Sequence, residues 1–171
     1  GSASTAMGYY TDASGEYAIS MGYSTDASGW ASTAMGYSTE PSGFVSTAMG
    51  YSTDASGSYS TAMGRYNIGG GDPLNWVDTD PLFEIGNGID DNNRNNALTV
   101  LKNGNVGIGT SNPIRGKLEI SGNQQCCGGT NGSFNYFLGG SGNQTWNWYS
   151  GTDDFDISVY ADGRFMGSGI H

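Results

Sequence analysis

Positive charge is scarce, with 6 Lys+Arg against 16 Asp+Glu in 171 residues and a net charge of −10. Phosphate backbones need basic side chains to neutralise them, so nucleic acid is excluded as a partner. Charged residues of either sign make up only 13%. No apolar run approaches the ~18 residues of a membrane-spanning helix, so no membrane insertion is expected of this segment. No signal peptide opens the chain, so export would be directed from outside the segment. The single histidine is His171, at the last position, which leaves a Ser/His/Asp arrangement without a central base. The two cysteines, Cys126 and Cys127, are adjacent. That spacing suits neither a zinc knuckle nor a CxxC redox pair, and it leaves free thiols and bonds between chains both open.

Glycine is abundant, at 30 residues, and aromatics reach 12%. The first argues against a helical bundle or an ordinary enzyme domain, the second against a disordered linker. The glycines are also periodic. Written in rows of fourteen, the first third of the chain aligns Met7, Met21, Met35, Met49 and Met63, each followed by glycine. A second glycine column runs through Gly1, Gly15, Gly29, Gly43, Gly57 and Gly71. Gly1 is already in register, so the segment is expected to begin inside a longer array, unless the leading Gly-Ser is a cloning scar.

Fourteen residues are too few for a helical hairpin and suit one coil of a β-solenoid, with rungs roughly 4.8 Å apart. STAMG reads as one strand and TDAS as a second, and the two glycine columns supply positive φ at the corners. Alternation along a strand sorts the columns by face. The Thr5 column, which takes Ile19, and the methionine column are assigned to the interior. In the second strand the acidic column Asp12, Asp26, Glu40, Asp54 faces water, which turns Thr11, Thr25, Thr39, Thr53 and the mostly alanine column after the acids inward. Ala6, Ser20, Ala34, Ala48 and Ala62 then face outward while staying small, which predicts a neighbouring chain packed against them. So thin a roll buries little apolar surface at ~25 cal/mol per Å² and needs further burial from assembly. The column Tyr9, Tyr23, Tyr37, Tyr51 is expected to share that interface. The physics asks for more than one chain, and a homotrimer about one axis is expected.

The phrase STAMGYxTxASG, over residues 1–66, resembles the head repeats of trimeric autotransporter adhesins. In those YadA-like heads a short SVAIG-type strand and a following SxAxG segment form one coil of a left-handed parallel β-roll, three rolls to a trimer. The resemblance implies an all-β, left-handed parallel β-roll solenoid assembled as a homotrimeric fibre. This sequence departs from the family in using Thr and Met where Val and Ile are common.

Beyond Tyr66 the period stops. Residues 67–96 are rich in Asp, Asn, Pro and Gly and read as a loop-rich cap on the last coil, with Trp76, Leu82, Phe83 and Ile85 as its core. Residues 97–125 read as a hairpin-bearing shaft, because Asn103-Gly104 sits between alternating apolar runs and is followed by the strand KLEISG. NVGIGTSNP within it resembles segments of phage tail fibres that precede an endosialidase-type intramolecular chaperone. That resemblance implies a chaperone in the precursor, cleaved off near His171. Residues 126–171 read as short strands (SFNYFLGG, TWNWYSG, FDISVYADG, RFMGSGI) with a tight turn at Asp162-Gly163.

No catalytic residue, metal ligand or cofactor site is assigned. Carboxylate pairs for a glycosidase could be drawn from Asp78, Asp80, Glu84, Asp90, Asp91, Asp153, Asp154 and Asp156, but these lie mostly in turns where aspartate is ordinary. Calcium would use the same oxygens, yet no EF-hand or RTX-type repeat is present. Trp146, Trp148 and Tyr149, with their amide neighbours, form a candidate sugar platform, weighed against a small trimer core. Trp30 and Phe44 are the exposed candidates on the roll. The sequence thus points to the structural and adhesive segment of an extracellular fibre, on a bacterial surface or a virion, that presents many copies of a site to a host glycan or protein receptor. The alternatives are a polysaccharide-degrading tailspike and an ice-binding solenoid. The second is disfavoured because the single Thr column of each face is turned inward.

Overall fold

The structure, a computed structural model, describes residues 1–114, 116–121, 157–161 and 164–169. Two compact units divide at residues 125 and 126. In the first, nine strands form one sheet in strict sequence order, and the described residues contain no helix.

Five strands carry the repeat: β1 Thr5–Tyr9, β2 Ile19–Tyr23, β3 Thr33–Tyr37, β4 Thr47–Tyr51 and β5 Thr61–Arg65. They pair in parallel with no offset, so methionine lies beside methionine and glycine beside glycine from coil to coil. This is the expected parallel β-solenoid of 14-residue coils. The opposite wall is less regular than a strand. It is held by isolated bridges such as Asp12 to Asp26 and Glu40 to Asp54, with Asp26 N donating to Thr39 O at 2.9 Å.

The corners are made differently from the expectation. Within the coils only the glycine column after methionine has positive φ, as at Gly36 (+125°); in the other column only Gly71, past the last coil, does. That column is required by close approach, since a Cβ on Gly29 would lie 2.1 Å from Gly43 O. The left-handed turns fall on other residues: Tyr10, Ser24, Ser38, Ser52 and Tyr66 at one corner, and Ala3, Tyr17, Ala31, Val45 and Tyr59 at the other.

The faces are inverted relative to the expectation. Ser20, Ala34 and Ala48 have no exposed surface and Ala62 has 1%, so this column fills the coil interior and only Ala6, in the first rung, is open. It meets the buried Thr25, Thr39, Thr53 and the Ala13, Ala27, Ala55 column from the other wall, as expected for those two. Met21, Met35, Met49 and Met63 are half-exposed, Met7 is 62% exposed, and Thr33, Thr47, Thr61 and Ile19 also look outward. The reason is width. Two walls joined by tight corners leave room between them for alanine, serine, threonine and, at Pro41, proline only.

The stretch read as a loop-rich cap contains a strand. β6, Pro81–Asn87, adds to β5 in parallel, with Phe83 beside Thr61 and Ile85 beside Met63. β7 (Asn96–Leu101) returns antiparallel and β8 (Val106–Ile108) follows through a tight turn with Gly104 at φ +81°, the hairpin that Asn103-Gly104 predicts. β9, Leu118–Ile120, is the predicted KLEISG strand and lies parallel to β8.

In the second unit β10 (Ile157–Ala161) and β11 (Arg164–Gly169) form an antiparallel pair with a register shift at Val159/Tyr160, matching the last two strands read from the sequence. Trp146, Trp148, Tyr149, Cys126, Cys127, Asp153, Asp154, Asp156, the turn at Asp162-Gly163 and His171 lie outside the described residues.

Candidate functional site

Three surfaces of the first unit are candidates: the outward face of the strands, two aromatic ladders, and the carboxylates beyond the repeat.

The outward face carries two columns in register. One is Thr5, Ile19, Thr33, Thr47 and Thr61, and the other is the five methionines. The pairing carries both columns past the repeat through Phe83 and Ile85, Val100 and Leu98, then Val106 and Ile108, to Leu118 and Ile120, with the β6–β7 register shifts lying on either side of Phe83–Ile85. None of these residues is ionisable. The interface assigned to Ala6, Ser20, Ala34, Ala48 and Ala62 is therefore corrected: Ser20, Ala34, Ala48 and Ala62 are enclosed by their own coil, Ala6 is open only because it lies in the first rung, and the outward side chains of these strands are the Thr and Met columns.

Tyr9, Tyr23, Tyr37 and Tyr51, two positions beyond each methionine, stack as a ladder. Tyr37 lies 5.0 Å from Tyr23 and 4.7 Å from Tyr51, stacked nearly parallel to both, and Tyr66 closes the row edge-on. They remain 40–57% exposed. A second row joins Tyr17, Trp30, Phe44 and Tyr59. Trp30 and Phe44 are stacked at 4.7 Å with 6° between planes, while Tyr17 and Tyr59 contact them from either side. Sugar stacking needs an open ring face, and here the neighbouring coils occupy the faces and leave edges and hydroxyls outward.

The carboxylates beyond the repeat are engaged in holding the chain. Asp78 Oδ1 accepts from Trp76 Nε1 at 3.0 Å, and Asp90 Oδ1 accepts from the amides of Asn92 and Asn93. Asp91 pairs with Arg94 at 2.7 Å, and Asp80 Oδ2 accepts from Asp72 N while lying 3.5 Å from the enclosed Lys102 Nζ. Lys102 also donates to Ser58 Oγ at 3.1 Å and sits 5.4 Å from the Trp76 ring, so it clips residues 72–80 onto the last coils. Backbone amides hold Asp72, those of Leu74 foremost, and keep its carboxyl below the usual range.

Glu84 is the deepest carboxylate, 3% exposed, at the position of the interior Ala62 column. It accepts from Asn67 Nδ2 at 2.5 Å, Asn96 Nδ2 at 2.6 Å and Gly69 N at 3.1 Å. Asn67 Oδ1 accepts from Asp54 N and Asn96 Oδ1 from Ile68 N, so both amides are fixed with their NH2 groups toward Glu84. Burial raises its pKa above the ordinary value and outweighs the three donors, while Asp54 adds a smaller push upward. The cap is thus polar inside. Its expected apolar core is not formed: Trp76 is 52% exposed, and Leu82, Phe83 and Ile85 are half-exposed. Sequence reading missed β6 because Phe83 follows Thr61 by eight residues more than one period, with Pro73 and Pro81 between them. The pattern Phe-x-Ile-Gly repeats Thr-x-Met-Gly of the coils and was the available signal. No group of three or more His, Cys, Asp or Glu among the described residues could hold a metal ion.

Comparison with protein families matches the YadA head domain repeat over residues 1–25, 13–39 and 42–67. No curated protein and no solved structure matches the chain. The resemblance of residues 97–113 to tail-fibre segments rests on sequence alone. The N-terminal region of the chain is thus an array of YadA head domain repeats, folded as a parallel β-solenoid.

Proposed function

We propose that the chain is a head segment of a trimeric adhesin displayed outside the cell, in which three copies pack through their Thr/Met faces and present the rest of the coil surface to a host receptor. The observation that carries this reading is the outward methionine column, an uncharged and partly apolar face on coils of YadA head type. Burial of that face between copies supplies the apolar burial that the alanine-lined interior lacks. Tyr9, Tyr23, Tyr37 and Tyr51, on the same strands, flank the contact.

A binding role, rather than a catalytic one, is supported by the structural engagement of Asp78, Asp80, Glu84, Asp90 and Asp91, so the tailspike alternative finds no free carboxylate pair there. The receptor, a host glycan or protein, is met by weak contacts multiplied over three chains. On the roll these contacts come from ring edges and hydroxyls. Trp146, Trp148 and Tyr149 remain the glycan candidates of the second unit.

Sedimentation equilibrium at low micromolar concentration tests the assembly. A three-chain mass that falls on Met35→Glu supports it, and a folded wild-type monomer refutes it. Glycan and host-protein arrays, read with and without Trp146→Ala/Trp148→Ala, test receptor binding. The outward Thr column gives ice binding one feature that the sequence reading denied it. Thermal hysteresis by the purified chain would favour that alternative over adhesion.

A further inference from the structure

We infer that strands β6–β9, beyond the matched head repeats, form a second, more strongly apolar part of the same assembly face, and that its occupant is the same block of two further parallel copies of this chain. The inference rests on the proposed assembly and extends it to strands outside the region that the head repeat covers.

The register carries the argument. The Thr and Met columns do not end with the repeat at residue 67 but run on, strand by strand, into side chains that are all aliphatic or aromatic. At the far end Ile108, Leu118 and Ile120 are 42–45% exposed, and together with Phe83 and Leu98 they form an open patch on one side of the sheet. The other side of the same strands holds Glu84 and the buried Thr99, so the apolar side is not the interior of this chain. Nine rungs at roughly 4.8 Å make a stripe about 38 Å long without an ionisable group, long enough for a specific protein interface.

A second copy fits this stripe better than a different protein does. The face has no charge with which to select a foreign partner, and it is continuous with the face through which the head repeats are proposed to meet. Parallel packing sets Ile108 beside Ile108 and methionine beside methionine. Antiparallel packing would set the aliphatic block against the threonine-rich end and leave apolar area uncovered.

The test is disulfide trapping of the full chain in a Cys126→Ser/Cys127→Ser background, with single substitutions Ile108→Cys, Met35→Cys and, as a background control on the opposite wall, Ser28→Cys. Under mild oxidation, chain–chain products from both Ile108→Cys and Met35→Cys, several-fold above Ser28→Cys, are the expected result. Products from Ile108→Cys alone would overturn the proposed head contact and, with it, the inference that β6–β9 continue that face. Products from Met35→Cys alone overturn the inference and leave the proposed head assembly standing. Products from neither overturn both.

Discussion

Ser20 Oγ lies 2.7 Å from Thr25 Oγ1 inside the second coil, and both are buried. The next two coils have alanine at the serine position, and there Thr39 Oγ1 and Thr53 Oγ1 have no hydrogen-bond partner. Each orphaned hydroxyl costs free energy that a serine would recover. Ala34→Ser and Ala48→Ser should each raise stability by about 1 kcal/mol, read as a higher midpoint in thermal or denaturant unfolding. Ala48→Leu, which has no room inside the coil, should lower it by about 2 kcal/mol.

Val45 holds φ +53°, a left-handed conformation that a β-branched residue resists. Its N–H donates to Trp30 O at 2.8 Å, a bond that asparagine would keep. Val45→Asn should stabilise by about 1 kcal/mol, measured by the same unfolding midpoint. A fall in the midpoint would mean that the valine side chain contributes packing worth more than the strain.

Gly36 is constrained twice, by φ +125° and by a Cβ position 2.1 Å from Gly50 O. Gly36→Ala should destabilise by on the order of 3 kcal/mol or more, because the obstruction is backbone of the next coil. Circular dichroism on the purified variant would show loss of the cooperative transition.

Glu84 gives the fold a pH dependence of defined sign. Its pKa is raised in the folded chain, so the native state holds this proton more tightly than the unfolded state does. Its contribution to stability is therefore fully present below the ordinary glutamate range and is lost as pH rises through the raised value. The unfolding midpoint of Glu84→Gln should lack that component between mildly acid and neutral pH. The glutamine also sets an NH2 group against the fixed amide of Asn67 or Asn96, which should cost about 1–3 kcal/mol. An unchanged pH slope would show that other groups set the dependence.

Tyr37 is stacked on both sides, at 5.0 and 4.7 Å. Tyr37→Ala should cost about 1–3 kcal/mol through two lost stacked contacts, whereas Tyr9→Ala, which loses one stacked partner, Tyr23, and an edge contact with Tyr10, should cost less. Equal losses would mean that the ladder adds nothing beyond area.

The period, the strand TAMGY, its register and the Asn103-Gly104 hairpin were all legible in the sequence, because repetition and turn chemistry act locally. The facing of the strands was not. Alternation separates Ala34 from Thr33 and Met35 but does not say which set is inside, and the usual preference for the larger apolar residue within points the wrong way when the interior admits nothing larger than threonine or proline. The acidic and alanine columns of the other wall were placed correctly, since aspartate left only one choice. Glu84 reads from the sequence as one of several carboxylates that a glycosidase pair or calcium could use, with nothing to mark it as buried. Its role depends on Asn67 taking the place of Thr53 one coil on, and on Asn96 arriving from β7, a meeting of three distant positions that no spacing announces.

The zero-offset pairing of the coils also makes length a separable property. Each coil meets the next through the same small side chains, so no coil is shaped for one particular neighbour. Removing residues 33–46, one whole period, would join β2 to β4 through contacts of the kind already present. It would leave β6–β9 untouched and shorten the array by roughly 4.8 Å. The repeat works as a ruler with fourteen-residue graduations, and the reach of the surface it displays can change in those steps without any redesign of the fold.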